Sequence, residues 1–99
     1  MMEITKIGKA LSNETRIKIL SLISRDDRSS IETYREYRNE FADDKHRETI
    51  YRQLEHLVEV NLVEKYYDDE DQQLKYSLCC RKLLVDLNIG EVEVVDGSE

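Results

Sequence analysis

The stretch Thr49–Leu78, TIYRQLEHLVEVNLVEKYYDDEDQQLKYSL, decides the fold. Ile50, Leu54, Leu57 and Val58 recur at i, i+4, i+7 and i+8, one face of a 3.6-residue period, so the first half reads as an amphipathic helix over about 45–60. Leu62 and Val63 then lead into EKYY, the polar run DDEDQQ and LKYSL. Tyr66 or Tyr67 on one side of that run and Tyr76 on the other are strand-favouring aromatics, which makes 64–78 a hairpin with an acidic tip.

Upstream, Ile4, Ile7 and Leu11 form a stripe for a first helix over 3–11. Asn13 suits an N-cap, because its side-chain oxygen can take a free amide of the following turn. The next helix, about 14–24, is expected to bury Ile17, Leu20 and Ile23, with Ile19 and Leu22 widening the face. RDDRSS is a loop by composition. Ser29 followed by Glu32 is a capping-box pattern for a third helix, with an inner stripe of Ile31, Tyr34, Tyr37 or Arg38, and Phe41. FADDK is a break without glycine, and Asp43 or Asp44 is expected to cap the fourth helix.

Downstream, EVEVV alternates, KLLVDL is short and apolar, and Asn88-Ile89-Gly90 is a turn with glycine placed for positive φ. Residues 81–95 therefore read as a second hairpin, a short helix over 81–87 being the alternative. Residues 96–99 are expected to fray.

A helix followed directly by a hairpin, behind three shorter helices, is the layout of a winged helix-turn-helix: mainly α with small β hairpins, as one domain over 1–95. The chain resembles the ArsR-like winged-helix regulators, with a recognition helix similar to that of the PadR-like group. The resemblance rests on Leu11-Ser12-Asn13-Glu14-Thr15-Arg16-Ile17-Lys18-Ile19-Leu20, on Thr49-Ile50-Tyr51-Arg52-Gln53-Leu54 through Leu57 and Asn61-Leu62-Val63, and on Tyr76-Ser77-Leu78. It covers about residues 4–78 and implies a DNA-binding transcription regulator. Three departures stand out. The segment Ile31–Ile50 is longer than the family's usual spacing. Asn61 stands where glycine is usual, though Asn also enters the left-handed region. The wing tip is Asp68-Asp69-Glu70-Asp71 where DNA-binding relatives usually carry Arg, Lys and Gly.

On the helical wheel, Lys45, Glu48, Thr49, Arg52, Glu55, His56 and Glu59 face outward and Tyr51 lies on the flank. Lys45, Thr49 and Arg52 form a donor strip suited to a major groove, Arg52 reading guanine and Thr49 or Tyr51 meeting a thymine methyl or a phosphate. Arg47 suits a phosphate, and His56 and Lys75 complete the expected DNA-contacting set. The competing reading is a solvated face held by i, i+4 pairs such as Glu48–Arg52.

Composition bounds these readings. The 99 residues carry a net charge of −7, and 37% are charged against a typical ~25%. Non-specific affinity for DNA comes almost wholly from phosphate neutralisation, so random DNA should be bound weakly. Residues 1–25 nevertheless sum to +3 and 58–73 to −5, which keeps the acid away from the recognition helix except at the wing. There is no run of 18 apolar residues to span a membrane and no signal-peptide pattern, so a cytoplasmic location is expected.

Cys79 and Cys80 are adjacent, which disfavours a structural disulfide. One thiol is expected to be buried and the other incidental, a redox or soft-metal sensing role being the alternative. Nothing has metal-ligand spacing, so no metal and no cofactor are expected. His46 and His56 lack a recognisable nucleophile or acid partner, which argues against an enzyme. The expected partners are double-stranded DNA and a second copy of the chain, held through Ile4, Ile7, Leu11, Leu84, Val92 and Val94. The alternative is a protein-interaction module whose acidic wing and tail dock on a basic protein.

Overall fold

The computed structural model describes residues 2–95, so the expected frayed tail, 96–99, lies outside the described residues. Strand β1 (Met2–Glu3) leads into helices α1 (Ile4–Leu11), α2 (Glu14–Arg25), α3 (Ser30–Phe41) and α4 (Arg47–Glu59). Strands β2 (Val63–Asp68), β3 (Gln73–Leu78), β4 (Lys82–Asp86) and β5 (Glu91–Val95) follow. β2 and β3 form one antiparallel hairpin, with Val63 opposite Leu78 and Asp68 opposite Gln73. β4 and β5 form the second hairpin, and the unforeseen β1 adds to its far side in the order β1-β5-β4. The 81–87 helix does not form. Asp86 accepts from the amides of Asn88 and Ile89, and Gly90 takes φ 68°, so the turn folds the chain back instead.

One core runs through all four helices and both sheets. It holds Ile7 and Ala10 of α1, Ile19, Leu22 and Ile23 of α2, Tyr37 of α3, and Ile50, Leu54 and Leu57 of α4, closed by Leu62, Val63, Tyr76 and Val92. Two parts of the expected stripes shift. On α2 the buried set is Ile19, Leu22 and Ile23, whereas Ile17 is 45% exposed and Leu20 only half-buried. At 3.6 residues per turn Ile17 lies about 200° around the helix from Ile19, so both cannot face one core. On α3 the inner residues are Thr33 and Tyr37, and Arg38 is exposed. The Thr33 hydroxyl is satisfied by donating to the Ser29 carbonyl at 2.8 Å.

The helix ends are set locally. Asn13 accepts from the Arg16 amide at 3.0 Å, as its N-cap position requires. Ser29 and Glu32 close both arms of the capping box, at 3.1 and 2.9 Å. α3 ends at Ala42, which takes the left-handed conformation at φ 49° in the absence of a glycine. The expected cap of α4 is different. Asp43 is drawn away to accept from the buried Tyr37 hydroxyl at 2.9 Å, and His46 holds the N-cap position with no side-chain bond. The helix starts at Arg47, two residues later than the periodicity indicates.

Asn61 enters the left-handed region at φ 65°, turning the chain from α4 into the wing. Cys79 and Cys80 are free thiols between β3 and β4; Cys79 is exposed and Cys80 half-buried, so neither is the buried thiol expected. Among the described residues no helix is long and apolar enough to cross a membrane.

Because the buried Ser29 hydroxyl accepts from the Glu32 amide, Ser29→Ala, which removes this arm of the capping box and keeps the backbone arm, should destabilise the chain by about 1 kcal/mol. Urea denaturation with an unchanged m-value checks this.

Candidate nucleic-acid interface

The presentation of α4 depends on its neighbours. Arg28, in the α2–α3 loop, makes a two-way backbone bridge with Tyr76 of β3, at 3.2 and 2.8 Å. This adds a short third strand segment to the base of the wing. The Tyr76 hydroxyl donates to Glu55 of α4 at 2.6 Å, and the Lys65 ammonium reaches the same carboxylate at 2.8 Å. Loop, α4 and both wing strands thus meet at one buried tyrosine. Burial pushes the Glu55 carboxyl up, but the hydrogen bonds from Lys65 and Tyr76 outweigh it and hold the group below its ordinary value. Burial, and then the Glu55 bond, raises the Tyr76 phenol.

The expected DNA-contacting residues do not form one strip. Lys45 precedes α4 and is half-buried, so it is off the helical wheel, and Thr49 is half-buried as well. Arg47 and Tyr51, one turn apart, line a groove against α3 together with Ser30, Ile31, Tyr34, His46 and Glu48. Arg52 and His56 line the opposite flank with Gln53 and with Arg16 of α2. Arg16 is itself occupied there, donating to the Ala10 carbonyl at 2.9 Å and to Gln53 at 2.6 Å. Among the described residues neither Arg47 nor Arg52 has an acidic partner within ion-pair distance, so the Glu48–Arg52 pair does not form. Both guanidiniums are exposed.

Tyr34 and Arg38 of α3 were not among the expected site residues. Arg38 sits 5.8 Å from the Tyr34 ring centroid and donates to its hydroxyl at 3.2 Å, beside the Arg47–Tyr51 groove. Tyr34 had an apolar-stripe position, and nothing in its spacing marked its half-exposed edge.

Lys75 is corrected most clearly. Its ammonium lies 3.1 Å from Asp68 and also pairs with Asp71, inside the wing tip. The two carboxylates raise the Lys75 ammonium above its ordinary value, and Lys75 in turn lowers Asp68. Asp68 also accepts from the Glu70 amide at 3.0 Å, which shapes the tip. Tyr66, beside it, donates to Asp27 at 2.6 Å, and its phenol is pushed up to about 12, first by that bond. Asp69 and Glu70 are exposed.

Of the apolar residues expected at a dimer interface, Ile7 and Val92 are buried in the chain's own core, and Ile4 and Leu11 pack against it. Leu84 and Val94 remain exposed, at 55% and 51%.

Four helices, a capped third helix feeding an exposed fourth, and an immediate hairpin bridged to the inter-helix loop complete the geometry. The fold is a winged helix-turn-helix. Among solved structures the chain is similar to an ArsR-like transcriptional regulator from Rhodococcus sp. RHA1, at 25% identity and a TM-score of 0.60 over 76% of this chain and 63% of that one. It is also similar to the ferric uptake regulator of Vibrio cholerae, at 21% identity and TM-score 0.59 over 87% of this chain and 69% of that one. The ferric uptake regulator of Pseudomonas aeruginosa gives 22% and 0.60, over 96% and 75%. The chain thus spans less than two thirds of the length of the ArsR-like regulator. No family model and no curated protein matches it. All three structures are regulators with winged helices, and the expected resemblance to ArsR-like proteins is shared with the ferric uptake regulators.

The Glu55 cluster makes a pH prediction. A carboxyl whose folded pKa is depressed adds stability above its unfolded value, roughly 4.3, and loses it as pH falls through the folded value. Between about pH 6 and pH 3 the Tm of Glu55→Gln should fall less steeply than that of the parent chain, as followed by circular dichroism.

Proposed function

We propose that residues 1–95 act as one winged-helix domain of a homodimeric, sequence-specific DNA-binding transcription regulator. The observation that carries this reading is the pair of exposed, unpartnered guanidiniums of Arg47 and Arg52 on the helix that follows the helix-turn. Elsewhere among the described residues Lys18, Arg25, Arg28, Lys65 and Lys75 are matched to carboxylates, whereas Arg35, Arg38, Lys45 and Lys82 among others are not, so what marks Arg47 and Arg52 is their place on α4. α4 carries them beside Glu48, Glu55 and Glu59, so it is no general basic patch, and the two guanidiniums are its groups able to meet a phosphate or a base edge. Arg47 would contact a phosphate, Tyr51 and Tyr34 the backbone or a thymine methyl, and Arg52 a guanine edge. His56 is the outer neighbour of Arg52, and Lys45 and Thr49 act at most at the margin. The regulators in the structural neighbourhood support this class of function. A dimer would set two α4 helices on half-sites one helical turn apart.

The second reading, an assembly module that docks on a basic protein, is favoured by the excess of five acidic charges in 58–73. The two readings separate at the wing. Lys75 already compensates Asp68 and Asp71, which leaves Asp69 and Glu70 as the carboxylates that would oppose a DNA backbone.

Arg52→Ala should weaken binding to the best DNA site by about 1–3 kcal/mol. It should leave folding stability within roughly 0.5 kcal/mol, as an exposed substitution does. Gel shift and thermal melting read the two effects, and unchanged affinity would remove Arg52 as a base reader.

Asp69→Asn with Glu70→Gln should tighten DNA binding and steepen its salt dependence between about 50 and 200 mM, because more phosphate can be approached. An unchanged DNA affinity together with loss of a co-purifying basic protein would favour the assembly module.

A further inference from the structure

The hairpin β4–β5 concentrates exposed apolar surface. Leu84, Val85, Leu87, Ile89 and Val94 are between 46% and 84% exposed. In the order β1-β5-β4, β4 is the outer strand, so one row of its backbone donors and acceptors has no strand neighbour. Such an edge invites pairing, and chains usually blunt it with central charges, bulges or proline. Here the charges stand only at the two ends, Lys82 and Asp86, around Leu83-Leu84-Val85.

Those ends are complementary to themselves. An antiparallel β4–β4 pair about a two-fold axis at Leu84 sets Lys82 opposite Asp86 of the partner subunit, Leu83 opposite the partner's Val85, and Leu84 opposite the partner's Leu84. Moving the axis to Leu83 or Val85 sets Lys82 or Asp86 opposite Leu84 and breaks the charge match. Cross-strand opposite charges stabilise a pair, and like charges destabilise it.

Among the described residues the charges also lack partners. Asp86 is paired in register with Glu91, two carboxylates side by side, and Lys82 is paired with Val95. Among the described residues none of Lys82, Asp86 and Glu91 makes an ion pair. In the two-fold register a partner's lysine arrives next to each Asp86–Glu91 pair.

Sheet parity agrees. Val85 shares a face with the buried Val92, and Leu83 shares it with Val94. Pairing at Leu84 keeps all these side chains on one face, which continues apolar across both copies.

We infer that the occupant of the β4 edge is a second copy of this chain, joined through Lys82–Asp86 in the Leu84-centred antiparallel register to make a continuous six-stranded sheet. This rests on the homodimeric regulator reading and names its interface.

The test uses the full chain. Lys82→Glu sets two like charges opposite each other twice per dimer and should weaken the dimer on the order of tenfold in sedimentation equilibrium at low salt. Adding Asp86→Asn, which keeps the oxygen that accepts from the turn amides, should recover most of that loss.

On a Cys79→Ser/Cys80→Ser background, Leu84→Cys should cross-link to itself under mild oxidation, since directly opposed strand residues lie within disulfide reach. Leu87→Cys, more exposed but six residues off its own symmetry mate, about 20 Å at the rise of a strand, should not. A monomeric chain, a dimer indifferent to Lys82→Glu, or equal cross-linking at both cysteines would overturn the interface. If DNA half-sites were still bound cooperatively in that case, the regulator reading would survive. The expected dimer with no DNA bound would retain the interface and remove the regulator.

Discussion

Tyr76 is the point on which the rest of the structure depends. Its ring is buried, its backbone bridges Arg28 in both directions, and its hydroxyl donates to Glu55. The loop that launches α3, the helix that would face DNA and the wing are otherwise separate pieces on the surface of a small core. A buried phenol must find a hydrogen-bond partner, since leaving it unsatisfied costs about 1–3 kcal/mol. That requirement sets the height of the wing relative to α4. Lys65 lies 5.9 Å from the same ring and completes the Glu55 pair, so charge and aromatic packing reinforce one geometry.

The electrostatic layout follows from the same economy of partners. An acidic chain readily satisfies its own cations, and it does so at Arg25–Glu40, which ties the ends of α2 and α3 with two bonds of 2.6 and 2.7 Å. It does so again at Lys75 in the wing tip. The wing is therefore less repulsive than its sequence suggests, because Asp68 and Asp71 share an ammonium and Asp68 also caps the turn. Arg47 and Arg52 stand outside this pairing, on different flanks of α4 and each in its own groove. A surface of this kind has little general attraction for DNA.

The second hairpin has a divided role. Val92 and Leu83 seal the core beneath α1, while among the described residues the rest of the apolar surface on β4 and its turn is left exposed. A 99-residue chain has little interior to share among four helices and two sheets. Surface that cannot be buried internally is then left at the edge, where a symmetric partner can use it.

Much of the fold is legible in the sequence because it is set by near neighbours. The Asn13 cap, the Ser29–Glu32 capping box, the left-handed Asn61, the Gly90 turn and the Ile50-Leu54-Leu57 face each involve residues a turn or two apart. Local spacing determines such features. What the tertiary structure alone decided is which partner each long side chain takes. Helical periodicity could not choose between Ile17 and Ile19, because the buried side of α2 depends on where α3 and α4 approach it. It could not see that Tyr37 would claim Asp43 or that α4 would start only at Arg47. Nor could it see that Lys75 would turn inward to Asp68 and Asp71, or that Ile7 and Val92 would be buried within one chain. Charged and aromatic side chains reach several ångströms, so their pairing is settled only when distant segments are brought together, and that pairing separates the cations that hold the fold from those left exposed.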